Sequence, residues 1–360
     1  MEGEHCQTRI IKIDPQNVDE SLLVPPAEVL REGGVVAFPT ETVYGLGASI
    51  FQPRAVRRVF AVKGRPADNP LIVHIAEKEW LDELTPSCPP AAWRAVEVFW
   101  PGPLTIVVPR SAQVPPLVTA GLDKVGIRMP SHPVALALIR LAGVPVAAPS
   151  ANTSGRPSPT VAAHVAEDLA GKIDWIVDGG PCQVGLESTV VDFTTPRPLI
   201  LRPGAITAEM LTEVTGVEVG MAPGLSSPAE PPPSPGMKYV HYAPQGEMFL
   251  FEGPEERVHL ELAKRIEEAL AGGKRVGLLL TAEMAARLQV PEEVVVMTLS
   301  SRKNPEEAGT RLYGCLREFD RLGVEIILAE GYPRIGRGIA LMNRMEKAAR
   351  HHIRLESDEE

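Results

Sequence analysis

Lys63-Gly64-Arg65-Pro66-Ala67-Asp68-Asn69-Pro70 follows a helical pattern over residues 55–62 and runs straight into Leu71-Ile72-Val73-His74-Ile75. Gly ends a helix readily, two prolines stiffen the turn, and the apolar run reads as a buried strand. Helix, turn and strand in succession set the class as α/β. Working outward, short apolar runs at 35–38, 104–108, 125–127, 144–148, 173–177, 189–191 and 199–201 read as further strands. Helical patterns at 27–31, 91–99, 134–141 and 161–169 lie between them. Residues 1–220 therefore form a large, mixed, twisted α/β domain. Prolines number 36 in 360 residues, about twice the ordinary usage of ~5%, and they crowd into 221–235. We assign 221–245 to a Pro-rich linker. Beyond it, apolar runs at 248–251, 276–280, 294–297 and 325–329 alternate with helical patterns at 258–270, 282–288, 306–322 and 340–351. Such regular alternation predicts a smaller, Rossmann-like domain over 246–355 with a parallel sheet.

With 36 basic and 46 acidic residues the net charge is −10, which argues against broad electrostatic attraction to nucleic acid or anionic membrane. Cys6, Cys88, Cys182 and Cys315 are scattered without metal-ligand spacing and read as reduced thiols, with no metal site implied. No apolar run approaches the ~20 residues that a membrane span needs, and the polar segment 1–9 has no signal-like core. A cytoplasmic protein is expected.

Lys63 and Arg65 at alternate positions of a stiff turn would direct two cations at one spot suited to phosphates. Pro149-Ser150-Ala151-Asn152-Thr153-Ser154-Gly155 repeats the alternate spacing with a hydroxyl and an amide, in a turn that also offers backbone N–H donors. Neither stretch is a Walker loop or a dinucleotide fingerprint. Pro39-Thr40-Glu41-Thr42-Val43-Tyr44-Gly45-Leu46-Gly47 leaves a strand with two hydroxyls and a carboxylate before flexible glycines, a common way to line a pocket. In Gly126-Ile127-Arg128-Met129-Pro130 a lone guanidinium stands in an apolar segment, where an anionic ligand or an internal carboxylate must compensate it. Ser188 and Arg202 sit at the margins of apolar runs, able to face a shared cleft. Arg334-Ile335-Gly336-Arg337-Gly338 has the composition of an anion-binding turn. Ser234-Pro235-Gly236-Met237-Lys238-Tyr239-Val240-His241-Tyr242-Ala243-Pro244 carries more aromatic and cationic groups than a plain tether, which suits a lid. No Ser-His-Asp or Cys-His arrangement offers a covalent nucleophile.

Taken together, Pro39 to Gly47, Lys63 to His74, Phe99-Trp100-Pro101-Gly102-Pro103-Leu104-Thr105, Gly126 to Pro130, Pro149 to Gly155, Gly185 to Asp192 and Leu201 to Gly204 resemble the long, two-domain form of the threonylcarbamoyl-AMP synthase family. The resemblance covers nearly the whole chain. It implies an N-terminal YrdC-like domain and conversion of L-threonine, bicarbonate or CO2, and ATP to threonylcarbamoyl-adenylate and pyrophosphate, toward threonylcarbamoyladenosine in tRNA. It also implies Mg²⁺ carried by ATP and hand-over of the product to a tRNA threonylcarbamoyl transferase. Carried onto matching positions, Lys63, Arg65, Asn69, Ser150, Asn152, Ser158 and Arg202 hold ATP, with His241 or Tyr242 closing over it. Thr40, Thr42, His74, Arg128 and Ser188 hold threonine. Among these, Lys63, Arg65, Ser150 and Asn152 serve catalysis. Lys124 stands where family members often carry Thr. Two other readings compete: an RNA-binding module gripping through Arg57, Arg58, Lys63 and Arg65, and a carbamoyl-adenylate-forming maturation enzyme, which would match only over the first domain.

Overall fold

The computed structural model describes residues 7–223 and 241–356, so most of the Pro-rich linker, including Ser234 to Val240, lies outside the described residues. The described chain divides into two compact units. The first unit holds one sheet of 11 strands. In chain order these are β1 (Arg9–Lys12), β2 (Val36–Phe38), β3 (Gly45–Ser49), β4 (Ile72–His74), β5 (Leu104–Pro109), β6 (Lys124–Arg128), β7 (Val146–Ala147), β8 (Trp175–Asp178), β9 (Thr189–Asp192), β10 (Leu199–Arg202) and β11 (Gly220–Met221). Their spatial order is β1-β8-β2-β3-β7-β4-β6-β5-β9-β10-β11, with parallel and antiparallel pairs mixed. Helices Pro53–Lys63 and Pro133–Ala142 begin on Pro, whose missing N–H costs nothing at that position, and end on Gly64 and Gly143 in the left-handed conformation. The two large core clusters of this unit carry β2, β4 and their neighbours almost wholly out of solvent.

The glycines of β3 are not hinges, as their composition suggests. A Cβ at Gly47 would lie 2.7 Å from Phe38 Cε1 and 2.8 Å from Val146 Cγ1. Absent side chains here let Phe38 pack across the strand and turn its ring edge-on to His74, with centroids 6.1 Å apart.

The second unit contains β12 (Glu247–Glu252), β13 (Val276–Leu280), β14 (Val295–Thr298), β15 (Ile326–Glu330) and β16 (His351–Arg354). They form an all-parallel sheet in the order β14-β13-β15-β12-β16. Residues 340–351, read from sequence as one helix, instead divide into helix Gly338–Ala348 and strand β16. The unit also gathers in Gly155–Pro157 and Val184–Leu186, two short pieces from earlier in the chain. Arg317, 4% exposed, donates from Nη2 to Pro157 O at 2.7 Å. Tyr242 packs at 5.3 Å against the Tyr313 ring and lies beneath the Arg344 guanidinium. The anion-binding reading of residues 334–338 meets arginines already in ion pairs, Arg334 with Glu252 and Glu346, and Arg337 with Glu306. No helix among the described residues is long and apolar enough to cross a membrane.

Candidate active site

Parallel pairing of β4 with β6 sets His74 beside Arg128, and antiparallel pairing of β6 with β5 sets Arg128 beside Thr105. In-register neighbours project from the same face of a sheet. Next along, Ser188 immediately precedes β9, and Arg202 ends β10 after a shift in strand register, a device that re-aims a side chain. Arg202 donates from Nε to Ser188 O and from Nη2 to Ser188 Oγ, each at 3.1 Å. Ser188 Oγ in turn lies 2.8 Å from Thr105 Oγ1. Ser188 and Arg202, assigned from sequence to threonine and ATP respectively, are thus direct partners. Thr105 joins them without having been singled out.

The turn after β2 closes over this row. Thr40 Oγ1 donates to Val43 O at 2.6 Å and accepts from the N–H groups of Thr42 and Val43, so Thr40 spends its hydroxyl building the turn. Thr42 Oγ1 lies 2.8 Å from Thr40 Oγ1 and accepts from Arg128 Nη1 at 2.8 Å. Arg128 Nε donates to Gly102 O at 3.3 Å, and Arg128 Nη2 lies 2.7 Å from Glu41 Oε1. The compensating charge for this buried guanidinium is an internal carboxylate. Burial, reinforced by the nearby Arg128 and Arg202 charges, drives His74 down to about 3 from its ordinary 6.5. It is a neutral imidazole at physiological pH, with Nδ1 donating to Ile72 O at 3.2 Å.

A second cluster adjoins the first through the backbone. Ala151 N–H donates to Tyr44 O at 2.8 Å, and Gly45 bridges to Ser150. Lys63, at 2% exposure, directs its ammonium to the carbonyls of Ser150 and Asn152. Ser150 Oγ donates to Asn152 Oδ1 at 2.5 Å. The Arg65 guanidinium donates within its own loop, to Asn69 O at 3.3 Å and Pro70 O at 3.0 Å. Asn69 is buried, and its Oδ1 meets no donor among the described residues. Ser158 Oγ donates to Glu187 Oε1 at 2.6 Å, both side chains buried; Glu187 is a second residue that motif reading did not assign. His241 and Tyr242 belong to the second unit. Lys124 pairs with Asp192 at 3.0 Å. Burial holds the thiols of Cys88, Cys182 and Cys315 above the ordinary range, so none is an activated nucleophile.

Residues 28–204 match a family described as Telomere recombination, and residues 206–350 match the Threonylcarbamoyl-AMP synthase, C-terminal domain. A threonylcarbamoyl-AMP synthase of Bacillus subtilis (strain 168) is 48% identical, with 93% of this chain and 95% of the relative covered. The chain belongs to the threonylcarbamoyl-AMP synthase family. A second member of this family, from Pyrococcus abyssi, is 45% identical over 94% of this chain and 97% of its own length. The crystal structure of P. abyssi Sua5 complexed with L-threonine superposes with a TM-score of 0.89 and 44% identity, covering 97% of this chain and 100% of that one. As the synthase family match runs through both units, it includes the C-terminal domain that a maturation enzyme resembling only the first domain would lack.

Proposed function

We propose that the chain is an L-threonylcarbamoyladenylate synthase and, in reaction class, a nucleotidyltransferase. The observation that carries the reading is the joined pair of buried clusters, one built on Arg128 and Ser188 and one on Lys63, Ser150 and Asn152, in a chain whose full-length relatives bear that activity's name. Threonine's amine adds CO2, supplied as bicarbonate, to give a carbamate that reverts easily in water. A pocket with buried walls preserves it beside ATP. The carbamate oxygen then attacks the α-phosphorus, and pyrophosphate leaves. Mg²⁺ arrives with ATP as part of the substrate.

In this reading Arg128, Thr42, His74 and Ser188 receive threonine, with Thr40 shaping the turn that presents Thr42. Lys63, Arg65, Asn69, Ser150, Asn152, Ser158 and Arg202 receive ATP. Lys63, tied to two carbonyls, fixes the shape of the Ser150 to Asn152 turn and brings positive charge to the place where pyrophosphate charge develops. Asn69's undonated Oδ1 supplies an acceptor for an N–H of the ligand. The resemblance assigns His241 or Tyr242 to the nucleotide as part of a lid, and within the second unit Tyr242 meets Tyr313 and Arg344. The adenylate passes to a transferase acting on tRNA in the cytoplasm. A weak tRNA contact is compatible with the negative net charge, whereas a dedicated RNA grip is not.

Purified protein with ATP, Mg²⁺, bicarbonate and L-threonine should release pyrophosphate and the mass of threonylcarbamoyl-adenylate, and omission of any one component should abolish both. Folded, ATP-binding protein that forms no adenylate would overturn the reading. The same assay on a chain ending at Ala222 measures the lid: undiminished turnover excludes a lid role.

A further inference from the structure

The Glu41 to Arg128 pair is buried, each residue 4% exposed, and its two facing atoms approach to 2.7 Å. Yet among the described residues Arg128 Nη2 has no aligned hydrogen-bond acceptor and Glu41 Oε1 no aligned hydrogen-bond donor. The two atoms attract by charge without aligning an N–H on the carboxylate. Everything else about the pair is tied down. Glu41 Oε2 accepts from Ser131 N–H at 3.1 Å, while Arg128 Nη1 and Nε are held by Thr42 and Gly102. Buried polar atoms are nearly always hydrogen-bonded, and exceptions cost free energy unless a ligand supplies the partner. Here a donor and an acceptor are paired by charge, yet each lacks an aligned hydrogen bond.

A molecule that satisfies both must carry an anion and a cation on neighbouring atoms. An α-amino acid zwitterion has that form, with carboxylate and ammonium on one carbon. We propose that Glu41 and Arg128 together form a zwitterion receptor, in which Arg128 Nη2 donates to the carboxylate of threonine and Glu41 Oε1 accepts from its amino group. This rests on the reading of threonine as substrate and adds the residue that recognises the amine. The ammonium must pass one proton to Glu41 or to water before its nitrogen can attack CO2, and a second proton leaves as the carbamate forms; Glu41's contact therefore orients the nucleophile as well as binding it. Pairing with Glu41 also offsets the desolvation of a lone Arg128 before substrate arrives.

The test compares calorimetric binding of L-threonine with that of 2,3-dihydroxybutanoate, which replaces the amine by a hydroxyl, in the wild type, Glu41→Gln and Glu41→Asp, with ATP binding as the folding control. Wild type should prefer threonine by about ten- to a hundredfold, the worth of one charge-assisted hydrogen bond. Glu41→Gln should lose most of that preference with ATP affinity unchanged, and Glu41→Asp should regain part of it. Equal loss of both ligands in Glu41→Gln would mean that Glu41 only props Arg128, and a preserved preference would mean that it does not touch the amine; either overturns the proposal. A wild-type chain that binds ATP but not threonine would instead overturn the underlying reading of the substrate.

Discussion

His74 ends a strand whose three residues are all buried, and the charges that act on its ring, Arg128 and Arg202, both disfavour protonation. Its folded pKa of about 3 against an ordinary 6.5 means that between those pH values the unfolded chain binds a proton that the folded chain refuses. The stability contributed by the neutral ring is therefore complete above pH 6.5 and drains away as pH falls toward 3. Thermal melts between pH 7.5 and 4.5 should show a steeper acid loss for wild type than for His74→Gln, which cannot titrate. Parallel slopes would refute the assignment. Single residues of the site were legible where a polar side chain interrupts an apolar run, as Arg128, Ser188 and Arg202 do. Glu41 was noticed only as a pocket-lining carboxylate and Glu187 received no role, because a carboxylate in a turn has the same local signature whether it is solvated or buried. Only the strand register that carries Arg128 to the turn after β2 distinguishes the two.

Strand β3 makes the same point for a whole element. Gly45 and Gly47 weaken a strand on propensity alone, and in sequence they stand out only as flexible glycines after a pocket-lining stretch. Its pairing with β2 and β7 depends on the space those glycines leave for Phe38. Gly47→Ala should therefore cost about 1–3 kcal/mol through overpacking. Because Phe38 is the edge-on neighbour of His74, the same change should raise the KM for threonine more than that for ATP. Denaturant unfolding with paired substrate titrations checks both; a stable variant with wild-type kinetics would show that Phe38 relaxes freely. Central strands rich in Val, Ile and Leu were legible from their apolar runs. Edge strands β1 and β16 were not, since Arg-Ile-Ile-Lys and His-His-Ile-Arg carry the exposed charge that protects an open sheet edge. Helix Glu20–Glu32 was recognised only in its second half, because Pro25 and Pro26 stand inside it and normally argue for a break.

Over the whole molecule, the chain order of the two units is interleaved in a way that apolar patterning cannot report. Gly155–Pro157 and Val184–Leu186 belong to the second unit, yet each is followed at once by a residue of the first, Ser158 and Glu187. Those two residues hydrogen-bond to each other at 2.6 Å. The Arg317 guanidinium holds Pro157 O through Nε and Nη2, and Thr310 Oγ1 donates to Val184 O at 3.3 Å. Each short piece is joined to the Ser158 to Glu187 pair by a single peptide bond. Arg317→Met keeps much of the side-chain volume and removes both donors to Pro157. It should lower stability by about 2–3 kcal/mol, the worth of charged hydrogen bonds in a buried setting. If Ser158 holds ATP, the KM for ATP should rise several-fold while the KM for threonine, held at the other cluster, stays near its wild-type value. Equal change in the two constants would trace the effect to general loosening. A drop in melting temperature with both constants unchanged would show that the second unit's grip on Pro157 serves folding alone.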